Sequence, residues 1–82
     1  MSLIYTEHAL QRMAKRQLPQ EWVDRTVSNP ARIEPDPEDI SLEHRLAILP
    51  ELANRVLRVI VSKDEPNRVI TAYLDRKMKG KL

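Results

Sequence analysis

Eighty-two residues with a formal charge of +2 and no cysteine allow one domain with a modest core, and they exclude disulfides and thiolate metal sites. The longest apolar runs, Leu46–Leu49 and Val59–Val61, are far too short to span a bilayer. Residues 1–5 lack the basic and apolar regions of a signal peptide, so a cytoplasmic protein without membrane contact is expected.

In chain order, Thr6 is a good N-cap, and Glu7 places an acid beside the positive end of a helix. Ala9, Leu10, Met13 and Ala14 recur at helical spacing, which predicts a first helix from about Glu7 to Arg16. Leu18-Pro19 interrupts it, because proline forces its predecessor out of the helical region. Pro19 then suits the first position of a second helix, with Trp22, Val23, Thr26 and Val27 on its inner face and Asn29-Pro30 at its end. Trp22 is expected in the core with its indole N–H at the surface.

From Ala31 the periodicity changes. Arg32–Glu34 reads as a short strand, closed by the turn-rich stretch Pro35–Asp39. Ile40, Leu42, His44, Leu46 and Ile48 alternate with polar or small residues, which predicts a second strand even though the local residues favour helix. Val56–Val61 and Val69–Leu74 complete the set, joined by a hairpin loop over Lys63–Asn67. Helices in a run followed by strands in a run predict an α+β fold. The two helices would pack on one face of a roughly four-stranded, mostly antiparallel, twisted sheet. Residues 1–75 would form the single domain, and residues 76–82 a flexible basic tail. Leu57, Val59 and Val61 should face the helices, as should Ile70, Ala72 and Leu74. Arg58, Val69, Thr71 and Tyr73 should face away.

Charge is unevenly distributed. Residues 30–51 carry six acids against Arg32 and Arg45, a net of −4, whereas residues 52–82 carry eight bases against three acids, a net of +5. A basic region attracts phosphates or an acidic protein partner.

Two sets of side chains could carry chemistry. His8, Arg12 and Arg16 lie four residues apart on one helix face. A histidine with two arginines suits a phosphodiester, and a solvated helix face is the plainer alternative. Arg58, Thr71 and Tyr73 offer a guanidinium and two hydroxyls on the outer sheet face, where ordinary exposed polar residues are also common. His44 reads as a satisfied core histidine rather than a ligand. His8 and His44 lie far apart without i,i+4 pairing, so neither a metal nor another cofactor is expected. With Gly80 as its one glycine, the chain cannot form a glycine-rich phosphate loop.

The stretch Tyr5–Arg16, containing Thr6-Glu7-His8-Ala9 and Arg12-Met13, resembles the opening of a bacterial family, domain of unknown function 4258. Its pattern is S/T-x-H-A, then R-M, then a second arginine. Leu18–Val23, Asn29-Pro30, Arg55–Val59 and Val69–Tyr73 resemble its later blocks, so the likeness spans nearly the whole chain. That family often has glycine where Gln17 stands and a serine-type cap where Pro19 stands. It is grouped with the RelE/ParE and BrnT toxins, which implies a compact helix-then-sheet toxin domain.

The resemblance implies a metal-independent ribonuclease acting on RNA and neutralised by an antitoxin protein. Cleavage without metal needs a base for the 2′-hydroxyl, an acid for the leaving oxygen and cations for the phosphorane. His8 would be the base, since a helix dipole disfavours positive charge in its first turn. Arg12, Arg16 and Arg58 would be the substrate-binding cations, and Tyr73 or Thr71 the proton donor or positioning group. Two other readings remain open: a non-catalytic module that binds protein or nucleic acid through its basic surface, and a gyrase-type inhibitor. A core this small also leans on partners, so a homodimer is a further expectation.

Overall fold

A computed structural model describes residues 3–82. The elements are β1 (Ile4–Tyr5), α1 (Glu7–Lys15), α2 (Gln20–Ser28), β2 (Arg32–Pro35), β3 (Leu42–Leu49), β4 (Arg55–Ser62) and β5 (Arg68–Leu74), with short 3-10 turns at Pro50–Leu52 and Arg76–Met78.

α1 begins where the Thr6 hydroxyl accepts the Ala9 N–H at 3.1 Å, satisfying one of the orphan donors of a helix start. The same hydroxyl donates to the Val69 carbonyl at 3.0 Å, which pins the helix start to β5. At the other end Gln17 N–H bonds the Ala14 carbonyl at 3.2 Å and Leu18 N–H bonds the Met13 carbonyl at 2.9 Å. That pairing is a Schellman termination, and it puts Gln17 at φ +56°. Pro19 is not the first helical residue of α2 but its extended N-cap, at φ −61° and ψ 143°.

The sheet order is β1-β5-β4-β3-β2. β2, β3, β4 and β5 pair antiparallel to one another in turn, while β1 runs parallel to β5. The sheet therefore has five strands rather than the expected four; it is mostly antiparallel as expected, and the parallel β1 makes it mixed. The extra strand escapes pattern reading because two residues carry no periodicity. It is held by backbone bonds from Ile4 N–H to the Asn67 carbonyl and from Thr6 N–H to the Val69 carbonyl.

α1 and α2 cover one face. Ala9, Met13, Leu18, Val23 and Val27 meet Leu49, Leu57, Val59, Val61, Val69 and Ala72, all buried, with Trp22 and Leu74 partly buried against them. Val69 faces this core, opposite to the alternation expected of it. The register passes from Ile60↔Thr71 to Val61↔Val69, so Ile70 is an extra residue that reverses the facing before it. Beyond that bulge Thr71 and Tyr73 share the outer face with Ile60 and Arg58. The predicted strand from Ile40 begins at Leu42, and Ile40 lies exposed outside it.

Candidate functional site

α1 lies along β5. Its start is bonded at Val69 and its end at Ala72, and beyond the two residues paired with β1 the outer edge of β5 carries no strand among the described residues. Arg16, the C-cap of α1, reaches across this open edge. Its Nη1 donates to the Ala72 carbonyl at 2.8 Å and lies 3.5 Å from Thr71 Oγ1. Its guanidinium carbon lies 6.0 Å from the centroid of the Tyr73 ring, within cation–π range. The edge carbonyl would otherwise lack a sheet partner, so one contact closes the edge and carries a cation to the outer face.

The helix stripe and the sheet hydroxyls, two separate sets in the sequence, thus meet through Arg16. Arg12 is half-buried one turn back along the same stripe, and His8 is exposed two turns back. Neither side chain has a hydrogen-bonded or ionic partner among the described residues. Thr71 and Tyr73 are half-buried.

Arg58 stands opposite Tyr73 across β4 and β5, but its Nε and Nη1 are engaged. Nε donates to Asp75 at 2.8 Å, and Nη1 to Glu34 at 3.1 Å and to His44 Nδ1 at 2.8 Å. Burial works against its charge, yet the bonds to Asp75 and Glu34 outweigh that and hold its pKa above the ordinary guanidinium value. With two carboxylates on it, Arg58 braces the sheet beneath Tyr73. His44 is buried with both ring nitrogens bonded, the second to Asp36 at 2.8 Å, as a satisfied histidine should be, although it sits on the outer face. Strand alternation placed His44 and Arg58 within the sheet. The acids Glu34, Asp36 and Asp75 come from other segments and carry no spacing signal.

A second cluster was also invisible to spacing. Tyr5, Gln20, Asp24, Ser28, Arg45 and Asn67, with Leu3 and Val27, line a recess of about 340 Å³. Tyr5 donates its hydroxyl to Asp24. Burial, then this bond and the charge behind it, raise the phenol well above its ordinary pKa. Arg45 bridges Glu43 and the Val27 carbonyl at the end of α2, so its charge is also committed.

Among the described residues no three His, Cys, Asp or Glu side chains group as a metal site, and no helix is long and apolar enough to cross a membrane. What α1 and the edge of β5 offer together is cations without an acidic partner among the described residues, an imidazole two turns back from Arg16, and two hydroxyls. That set can bind a phosphodiester, and it contains a proton acceptor and proton donors.

Comparison with known proteins gives one family. A family described as a domain of unknown function (DUF4258) matches residues 5–74, which includes every element from Tyr5 through β5. No curated protein and no solved structure matches the chain.

Proposed function

The chain belongs to the DUF4258 family, and on that premise we propose that it is a toxin-like domain that cleaves RNA without a metal and is neutralised by an antitoxin protein. The observation that carries this reading is Arg16 crossing the open edge of β5 to Ala72, Thr71 and Tyr73, which joins the basic stripe of α1 to the hydroxyls of the sheet. The grouping of that family with the RelE/ParE and BrnT toxins supports the same class; fold alone does not fix target.

In this scheme His8 takes the 2′-hydroxyl proton, and the freed 2′-oxygen attacks phosphorus. Arg12 and Arg16 stabilise the charge that builds on the non-bridging oxygens. The bond from phosphorus to the 5′-oxygen breaks, and that oxygen takes a proton from Tyr73. A 2′,3′-cyclic phosphate and a 5′-hydroxyl result. Water and the protonated His8 restore the two side chains, and Thr71 orients the phosphate beside Arg16.

Induced expression in bacteria should arrest growth, and co-expression of a cognate antitoxin should relieve it. Purified protein, with and without translating ribosomes, should cleave RNA in the presence of EDTA and leave 2′,3′-cyclic phosphate ends. Binding of RNA without cleavage in either setting would replace this reading with that of a non-catalytic module. Arrest with supercoiling inhibition and intact RNA would replace it with a gyrase-type inhibitor.

A further inference from the structure

Where β4 begins and β5 ends, Arg55, Asp75, Arg76 and Lys79 line a shallow recess of about 340 Å³. Its single acid is already spent: Asp75 Oδ2 accepts from Arg58 Nε at 2.8 Å, and Oδ1 accepts from Lys77 N–H at 3.0 Å. Arg55, Arg76 and Lys79 have no carboxylate partner among the described residues. Five other arginines are paired with acids. Arg25, Arg32, Arg45, Arg58 and Arg68 each contact an acid. Among the described residues the four that do not are Arg12, Arg16, Arg55 and Arg76: two on α1 and its C-cap, along β5, and two where β4 begins and β5 ends.

We propose that this recess is a backbone-phosphate subsite for single-stranded RNA, continuous with the Arg16–Tyr73 surface. The proposal rests on RNA being the substrate and adds where the strand runs after the reacting phosphate. Asp75 is two residues beyond Tyr73, about 7 Å along an extended strand, a spacing close to that of successive phosphates. Three cations around a recess whose one carboxylate is already bonded are an uncompensated positive field. Guanidinium forks match phosphate oxygens in pairs, and Lys79 adds a mobile point charge. The Tyr73 ring, beneath the Arg16 guanidinium and two residues before Asp75, gives a base a surface to stack on.

The test uses a fluorescent 2′-O-methyl oligoribonucleotide of about ten residues, which cannot be cleaved, so binding is read independently of catalysis. Fluorescence anisotropy with the full chain should show binding that weakens with salt. Arg55→Ala/Lys79→Ala should weaken it about tenfold and lower the slope of log affinity against log salt by about 1.4. Lys63→Ala removes a charge in the hairpin loop at the far end of β4, and should change affinity less than twofold. The Arg55, Arg76 and Lys79 side chains have no hydrogen-bonded or ionic partners among the described residues, so the variants should retain the circular dichroism spectrum. Arg76→Glu is the second variant and should weaken binding more than the neutral double change.

A double variant that weakens binding no more than Lys63→Ala would overturn the subsite while leaving RNA binding intact. Poly-glutamate competing as well as the oligonucleotide at equal charge would overturn it in favour of an acidic protein partner. Absence of binding by the unaltered chain at low salt would also overturn it. RNA cleavage and growth arrest, measured separately, report on the catalytic reading whichever result is obtained.

Discussion

Arg58 Nη1 lies 2.8 Å from His44 Nδ1, and because a guanidinium only donates, that nitrogen of His44 must accept. The ring proton is then on Nε2, which faces Asp36 Oδ2 at 2.8 Å. A chain of side chains therefore crosses the outer face, from Asp36 through His44 and Arg58 to Glu34 and Asp75, each from a different segment. It ties β2, β3, β4 and the end of β5 together beneath Tyr73.

Removing Arg58 strands three acceptors at once, on Asp75, Glu34 and His44. Arg58→Ala should cost about 2–4 kcal/mol, since breaking a largely buried pair leaves its partner charges uncompensated. Domains of this size have roughly 4–12 kcal/mol in total, so a large drop in urea midpoint is expected. Arg58→Lys should recover only part of the loss, because a lysine lacks the planar fork. Long-range nitrogen–proton NMR spectra should show His44 as the Nε2–H tautomer. An Nδ1–H tautomer would break the proposed chain of bonds.

Acid should weaken the fold through Asp36. Its carboxyl is held below the ordinary carboxylate range, first by the hydrogen bond to His44 and then by the Glu38 N–H, with a further bond from the Asp39 N–H. A carboxyl depressed on folding contributes stability above its unfolded pKa and loses it as pH falls through the folded one. Unfolding midpoints should decline as pH drops into and below the normal carboxylate range. Asp36→Asn should be less stable than the original at neutral pH, and the difference should shrink on acidification. A gap that stays constant with pH would show that the carboxylate charge is not involved.

Gln17 occupies a position that glycine suits better. At φ +56° a residue with a β-carbon bears about 1–2 kcal/mol of strain, and glycine returns about 0.4–1 kcal/mol of that through its freer unfolded chain. Gln17→Gly should therefore stabilise by about 0.5–1 kcal/mol. For a domain this small that raises the melting temperature by roughly 3–6 °C. A thermal scan monitored by circular dichroism checks it.

That residue also shows what a sequence conveys. The family pattern often has glycine there, and the Schellman bonds supply the reason, although apolar spacing only says that the helix ends nearby. α1 and α2 were legible because Thr6, the Ala9–Met13 stripe and Leu18-Pro19 act locally. The strand over Leu42–Leu49 was legible because alternation overrode helix-favouring residues once β2 and β4 flanked it. β1 was not, since its two residues are defined by bonds to β5. Nor was the facing of Val69, which depends on Ile70 bulging against β4. For the site, alternation placed Thr71 and Tyr73 on the outer face and spacing placed Arg16 on the helix stripe. Their meeting depends on α1 lying beside an open strand edge, a tertiary fact. The neutralisation of Arg58 by Glu34 and Asp75 is likewise a contact among distant segments.

The last prediction separates structure from chemistry at the edge of β5. Arg16 bonds the Ala72 carbonyl, so Arg16→Ala should cost about 1 kcal/mol of stability through the unpaired edge group. The Tyr73 hydroxyl has no hydrogen-bond partner among the described residues. Tyr73→Phe keeps the ring beneath Arg16 and should leave stability within about 0.5 kcal/mol. If Tyr73 donates the proton to the leaving oxygen, Tyr73→Phe should still lower the cleavage rate about 10²-fold, the usual worth of a positioned acid. Substrate affinity should be little changed, so the loss should fall on kcat rather than KM. Arg16→Lys keeps a charge but not the fork, and should fall between Arg16→Ala and the original in both properties. Tyr73→Phe with undiminished cleavage would remove the hydroxyl from the mechanism and leave Thr71 as the remaining donor on that face.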